Sequence, residues 1–244
     1  MTSTPIPQAL SGGDTSELRN HVLGFDRLQY ILFVLVGYAS SQAHELAHWA
    51  TAMAMGASRL VMGFDRWYLS SLKGPLWPVL AAGPITTLSL ALLGLVLLRQ
   101  GDTQPVKRLG AFLAFYNSVF DLGSVTAGIV RTSLGMAGEA PLYDLSCSEL
   151  AWKILLAPIS ASILVLCIAY GARILQVRVL RLTSGLFLPT IIVSLIIKSL
   201  DTIAWLGYNR GYPLFTVVHG FIAMVILLNA VVLALLVVVK LLEG

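Results

Sequence analysis

Six apolar runs follow one another along the chain, at residues 28–54, 76–98, 109–131, 151–170, 186–206 and 214–239. A helix crosses a hydrocarbon core about 30 Å thick with about 20 apolar residues, so the pattern predicts about six transmembrane helices. The expected fold class is therefore all-α, a polytopic membrane protein. The breaks between runs carry the polar punctuation. Arg59, Asp65, Arg66 and Lys73 follow the first run, RQGDTQPVKR follows the second, and a long polar stretch at 132–149 with Pro141 follows the third. A basic turn with Arg173, Arg178 and Arg181 follows the fourth. Residues 1–27 are polar and rich in Ser, Thr, Gly and Pro. With no apolar core of their own they read as a flexible tail and not as a signal peptide.

Composition sharpens this picture. The 244 residues are 57% hydrophobic and 11% charged, with a mean hydropathy of +0.83. Soluble domains run at about 45–50% apolar and about 25% charged, so a soluble enzyme is excluded, as is a disordered or fibrous chain. The net charge of +4 comes from Lys and Arg held mostly in short loops. That placement suits lipid headgroups and gives no reason to infer a nucleic-acid partner. The two cysteines, Cys147 and Cys167, form neither a metal nor a redox spacing. An even number of spans puts both termini on one side, and that side has the larger share of Lys and Arg, which places the termini inside.

Ionisable groups within apolar runs are costly and are functional candidates by default. These are His44, Glu45 and His48 in the first run, Asp121 in the third, Lys198 and Asp201 in the fifth, and His219 in the sixth. His44-Glu45-Leu46-Ala47-His48 is an H-E-x-x-H motif that uses two of the four histidines. Residues four apart share a helix face, so both imidazoles reach one ion. Zinc accepts imidazole nitrogen and in a catalytic site keeps a position open for water. Glu45, one step round the helix, is the expected general base, taking a proton from water and returning it to a leaving amine.

Two histidines need a third protein ligand. Asp121 is the first candidate, because a carboxylate in the apolar run FYNSVFDLG has a reason to be there if it meets a cation. Glu139 and Asp144 are its rivals, provided their polar stretch folds back into the membrane. Asn117, one turn before Asp121, could hydrogen-bond the site or a bound peptide. Lys198 and Asp201, three apart on one face, are expected to neutralise each other. His219 is expected at interfacial depth near the start of the sixth span.

These residues resemble the site-2 protease family, membrane-embedded zinc metalloproteases that cut substrates within or beside transmembrane segments. The likeness rests on HELAH in the first run, on Ala81-Ala82-Gly83-Pro84-Ile85-Thr86-Thr87, and on an aspartate in a later run. The second element is similar to the family's A-G-P-x-x-N, with Thr87 where Asn is usual. The third element departs from the family's N-x-x-P ahead of L-D-G: Asp121 is followed by Leu122 and then Gly123, and Asn117 stands four residues ahead with no proline between, which leaves Glu139 and Asp144 open as third ligands. The resemblance implies a three-helix metal-binding core over residues 28–145, with additional transmembrane helices over 146–244. It implies His44, His48 and Asp121 on Zn2+, Glu45 as the catalytic base, and a transmembrane protein substrate in the lipid bilayer, most simply of the cell membrane. A Gly83-Pro84 break would loosen the second helix, and Asn117, Thr86 and Thr87 would bind unwound substrate backbone. Family members act near the cytosolic face. His44 and His48 lie beyond the midpoint of their span, away from the termini, which would put the termini outside, against the charge count. The alternative is an inactive homologue holding a client helix, or a metal carrier in which Lys198, Asp201 and His219 line a path. The oligomeric state is not set by the sequence.

Overall fold

The structure is a computed structural model that describes residues 27–133 and 147–242. Six helices account for most of it. They are α1 (Arg27–Ala54), α2 (Trp77–Gln100), α3 (Gln104–Ser133), α4 (Cys147–Ile174), α5 (Val179–Asn209) and α6 (Ala223–Leu242). The first five each cover one apolar run, and α6 covers the sixth run only from Ala223 on; a helix satisfies the backbone N–H and C=O groups within its own segment. Two of them, α2 and residues 185–209 of α5, are long and apolar enough to cross a membrane by length and composition.

The core is apolar, with Phe33, Phe64, Phe112, Leu164 and Leu182 buried, but it also takes in many polar side chains while apolar ones are left outside. Ser40, Ser41, Gln42, Glu45, His48, Thr87, Asn117, Ser118 and Asp201 are buried. Ile85, Leu92, Leu188, Leu195, Leu227 and Leu233 are exposed. A water-facing surface rarely carries contiguous apolar patches of that kind. Small residues let α2 and α3 approach closely. A Cβ at Gly94 would fall on the backbone of Gly110 and Ala114, and one at Gly110 on the backbone of Gly94 and Leu98. Backbone contact of this sort is how helices associate where no hydrophobic drive separates them from lipid.

Aromatic residues four apart on α3 make the seam with α1. Phe33 packs edge-on against Phe112 (centroids 5.4 Å) and Tyr116 (6.0 Å), and Tyr116 stacks on Phe120 at 5.6 Å. The column ends at His44, whose ring stands 6.2 Å from that of Phe120.

One feature departs from the all-α expectation. The connections after α1 and after α5 close into a single small sheet of two-residue strands, β1 (Val61–Met62), β2 (Trp67–Tyr68), β3 (Val217–Val218) and β4 (Phe221–Ile222). Their order is β2-β1-β4-β3, with antiparallel hairpins at both sides and a parallel β1–β4 pairing of Met62 with Phe221. The sheet therefore ties the end of α1 to the start of α6. His219 is not in a span: it is an exposed residue of the β3–β4 turn, with φ of 51° followed by Gly220 at 86°. Positive φ at both central residues is the geometry of the tightest two-residue hairpins. Pro84 does not break α2, which runs through it.

The Gly94 contact gives a stability test. Gly94→Val drives a branched side chain into the α3 backbone, and overpacking typically costs about 1–3 kcal/mol. The detergent-purified variant should melt several degrees lower, at about 2–4 °C per kcal/mol for a chain of this length. Val96→Ala, on an exposed position of the same helix, should leave the midpoint unchanged.

Candidate metal centre

The paired histidines of α1 face the second helix. Their Nε2 atoms stand 3.1 Å apart, with the rings edge-to-face at 4.8 Å. The other nitrogen of each ring is held by α2. His48 Nδ1 lies 2.5 Å from the Val79 carbonyl oxygen, and His44 Nδ1 lies 2.7 Å from Thr87 Oγ1.

These bonds bear on which ring nitrogens carry protons. A carbonyl only accepts, so His48 Nδ1 is the donor. Thr87 Oγ1 lies 2.7 Å from His44 Nδ1 and 3.2 Å from the Gly83 carbonyl. With no ion present, Thr87 donates to His44 Nδ1, and His44 Nε2–H donates to the bare Nε2 of His48. An ion held by both Nε2 atoms would move the His44 proton to Nδ1, where Thr87 accepts it and gives its own proton to the Gly83 carbonyl. An imidazole whose outer nitrogen is tied to a carbonyl or hydroxyl is also the arrangement that orients histidine as a metal ligand.

Gly83 completes the arrangement. A Cβ built there would collide with His48 Nε2 and with His44 Nε2, so the lack of a side chain lets α2 pack directly against both ring nitrogens. Tetrahedral zinc with bonds of about 2.0–2.1 Å sets two imidazole nitrogens about 3.3 Å apart, close to the observed separation. On the chemistry of its donors, this pair fits a soft-to-borderline divalent ion.

Glu45 is buried between the histidines in sequence, and its Oε2 has no hydrogen-bond partner among the described residues. Asp65, Asp201 and Lys198 are the charged groups in electrostatic contact with it. Trp67, on strand β2, lies over His48 with ring centroids 5.8 Å apart.

The remaining expected residues are placed as follows. Asn117 is fully buried and donates to Ser40 Oγ at 3.2 Å and to the Leu113 carbonyl at 2.8 Å, which ties α3 to α1 just ahead of the motif. Thr87 is buried against His44, so its hydroxyl is committed to the histidine and to Gly83 and is not presented to a substrate backbone. Thr86 is half-buried on α2. Asp121 belongs to α3, one residue beyond Phe120, but its side chain lies outside those described; Glu139 and Asp144 also lie outside the described residues. Among the described residues no group of three His, Cys, Asp or Glu side chains is assembled.

Lys198 and Asp201 do not pair with each other. Lys198 Nζ reaches Asp65 Oδ2 at 2.6 Å, and Arg66 Nε reaches Asp201 Oδ2 at 2.5 Å. Hydropathy and spacing missed Val79, Trp67 and the β1–β2 turn as parts of the site. The turn is marked in sequence only by Gly-Phe-Asp-Arg between short apolar pairs. Compared with protein-family models, curated proteins and solved structures, the chain matches none of them.

The deduced tautomers can be checked directly. Nitrogen-15 spectra of histidine-labelled, metal-free chain should show His48 protonated at Nδ1 and His44 at Nε2, and added metal should move the His44 proton to Nδ1. Thr87→Val should shift the His44 resonances and leave those of His48 in place, whereas Thr87→Ser should leave both.

Proposed function

We propose that the chain is a multi-pass membrane zinc endopeptidase that hydrolyses peptide bonds in or near transmembrane segments of protein substrates. One observation carries the reading: the His44 and His48 Nε2 atoms converge 3.1 Å apart, with both Nδ1 atoms anchored on α2 and a glycine packed against the pair. That separation, with each outer ring nitrogen anchored, suits two ligands of one divalent ion. The resemblance of His44-Glu45-x-x-His48 and of Ala82-Gly83-Pro84 to site-2 proteases supports the same reading, as does the burial of polar side chains beneath an apolar exterior.

Zinc in such a site supplies Lewis-acid activation of the peptide carbonyl and of the attacking water. The chain does the rest. His44 and His48 hold the ion, and Thr87 and Val79 fix their rings. Glu45 is the proton carrier, and a carboxylate oxygen left without a partner costs free energy unless it has work to do. Asp121 is the proposed third ligand, because α3 brings it to the residue after Phe120, which packs on His44. The six helices would serve as six spans, keeping the site away from bulk water.

The carrier alternative loses its residues. Lys198 and Asp201 are engaged by the β1–β2 turn, and His219 is in a hairpin turn at one end of the molecule.

Metal content tests the reading. About one zinc per chain is expected in the detergent-purified protein, lost in His48→Ala and in Gly83→Ala, whose methyl would collide with both Nε2 atoms and push the rings apart. Loss in Asp121→Asn identifies the third ligand; retention there, with loss in Glu139→Gln or Asp144→Asn, moves it to the polar stretch. No zinc in wild type after reconstitution overturns the reading.

Glu45→Gln separates an enzyme from a client-holding homologue. It should keep zinc and lower cleavage about 10²–10⁴-fold, the usual weight of general acid–base catalysis. The check is to compare new peptide termini in membranes of cells expressing wild type and Glu45→Gln. Termini equal in the two sets would show that the chain does not hydrolyse peptides.

A further inference from the structure

The turn between β1 and β2, residues 63–66, sits where α1, α5 and the candidate metal centre meet, and it is gripped from two sides. From α5, Asp201 Oδ1 accepts from the backbone N–H of Phe64 at 2.8 Å and of Asp65 at 3.1 Å, while its Oδ2 takes Arg66 Nε. One turn earlier Lys198 holds the Asp65 carboxylate, and one turn later Trp205 closes on Gly63, where a Cβ would meet Asp201 Oδ1 and Trp205 Nε1. From α1, Gln42 donates to the Phe64 carbonyl at 3.0 Å, two residues before His44. The Asp201 side chain is 2% exposed and that of Arg66 is 41% exposed.

A buried carboxylate joined to a cation contributes little net stability compared with an apolar replacement of similar shape. What three directed hydrogen bonds supply is register, and register matters here because strand pairing is so short. The β1–β2 ladder has two residue pairs, Val61 with Tyr68 and Met62 with Trp67, too few to fix itself. Slipping it by one residue would turn Trp67 to the opposite face and away from His48.

We infer that Asp201 is a positioning residue for the candidate metal centre, clamping the β1–β2 turn so that Trp67 is held over the His48 ring. The consequence for the metal rests on the metallopeptidase reading; the clamp itself does not. Asp201 does not touch the histidines. It acts through the chain of contacts from turn to strand to indole.

The test uses the full chain in detergent micelles, with Co2+ alone as the metal probe. Three readouts are taken on wild type, Asp201→Ala, Asp201→Asn and Val193→Ala, the last a cavity on α5 away from the turn. Amide exchange over residues 61–68 reads the clamp, the nitrogen-15 resonances of His48 in the metal-free chain read the indole, and Co2+ binding reads the centre. Asp201→Ala should speed exchange over 61–68 at least tenfold, displace the His48 resonances and weaken Co2+ about tenfold. Asp201→Asn keeps the acceptor for both amides and loses the charge, so it should fall between; it also serves if the alanine variant does not fold. Val193→Ala should lower the melting temperature and leave all three readouts alone. Trp67→Leu should reproduce the His48 displacement without the faster exchange. Unchanged exchange in both Asp201 variants, or faster exchange with His48 unmoved, overturns the inference. Wild type that binds no Co2+, while exchange and His48 still respond to Asp201, overturns the metallopeptidase reading and upholds the clamp.

Discussion

Everything chemical in this molecule depends on how α2 holds the outer ring nitrogens of two histidines on α1. The Val79 carbonyl accepts from His48 Nδ1, and Thr87 Oγ1 bonds His44 Nδ1. With those atoms anchored, the two Nε2 atoms meet 3.1 Å apart and share one proton. A cation between them would need only the shift of that proton to Nδ1, with Thr87 turning its own to the Gly83 carbonyl. Gly83 lets α2 come this close to both rings, and the Phe33–Phe112–Tyr116–Phe120 column props the ring of His44.

The burial of so many polar side chains within an apolar core follows from the same need. A site built from two histidines, a glutamate, an asparagine and several hydroxyls requires mutual satisfaction of polar groups, since a polar group left unpaired in an apolar medium costs several kcal/mol (about 2–7 by reference state). Serines and Gln42 line the α1 face before the motif, Ser40 meets Asn117, and Gln42 meets both the Phe64 carbonyl and Asn229. The apolar residues Leu46, Ile85 and Leu92 are left outside. In water this arrangement would aggregate; against lipid tails it is the low-energy one.

The helices were legible in the sequence because each is a run of apolar residues long enough to outweigh local detail, and the first four runs coincide with helices to within about five residues. The fifth helix starts earlier than its run, at Val179, and the sixth later, at Ala223. Residues 214–222 are apolar enough to merge with the helix behind them, and hydropathy alone cannot tell a hairpin from a helix start; Gly220 after His219 marked the turn. The histidine motif was legible because four-residue spacing is a statement about one helix. Val79 and Trp67 were not, for the opposite reason: their roles come from a carbonyl and a ring brought in by other elements, and no local spacing encodes that. Lys198 and Asp201 show the same limit. Spacing on one helix makes them partners, but a carboxylate prefers three donors from a turn to one flexible ammonium, because directed hydrogen bonds to a charged acceptor are stronger and leave fewer lone pairs unmet.

That preference explains why a two-residue sheet exists at all. Strands this short have no independent stability, so the sheet persists only where its turns are held by something else. On one side the His219–Gly220 turn is set by its own dihedral angles. On the other the Gly63–Arg66 turn is set by α5, an element that contributes no residue to the paired histidines. Helix α5 thus does more than add apolar surface. Through a buried aspartate it governs the geometry of a strand that packs on His48, and a change on α5 reaches that ring along a path of four contacts: carboxylate to backbone, backbone to strand, strand to indole, and indole to imidazole.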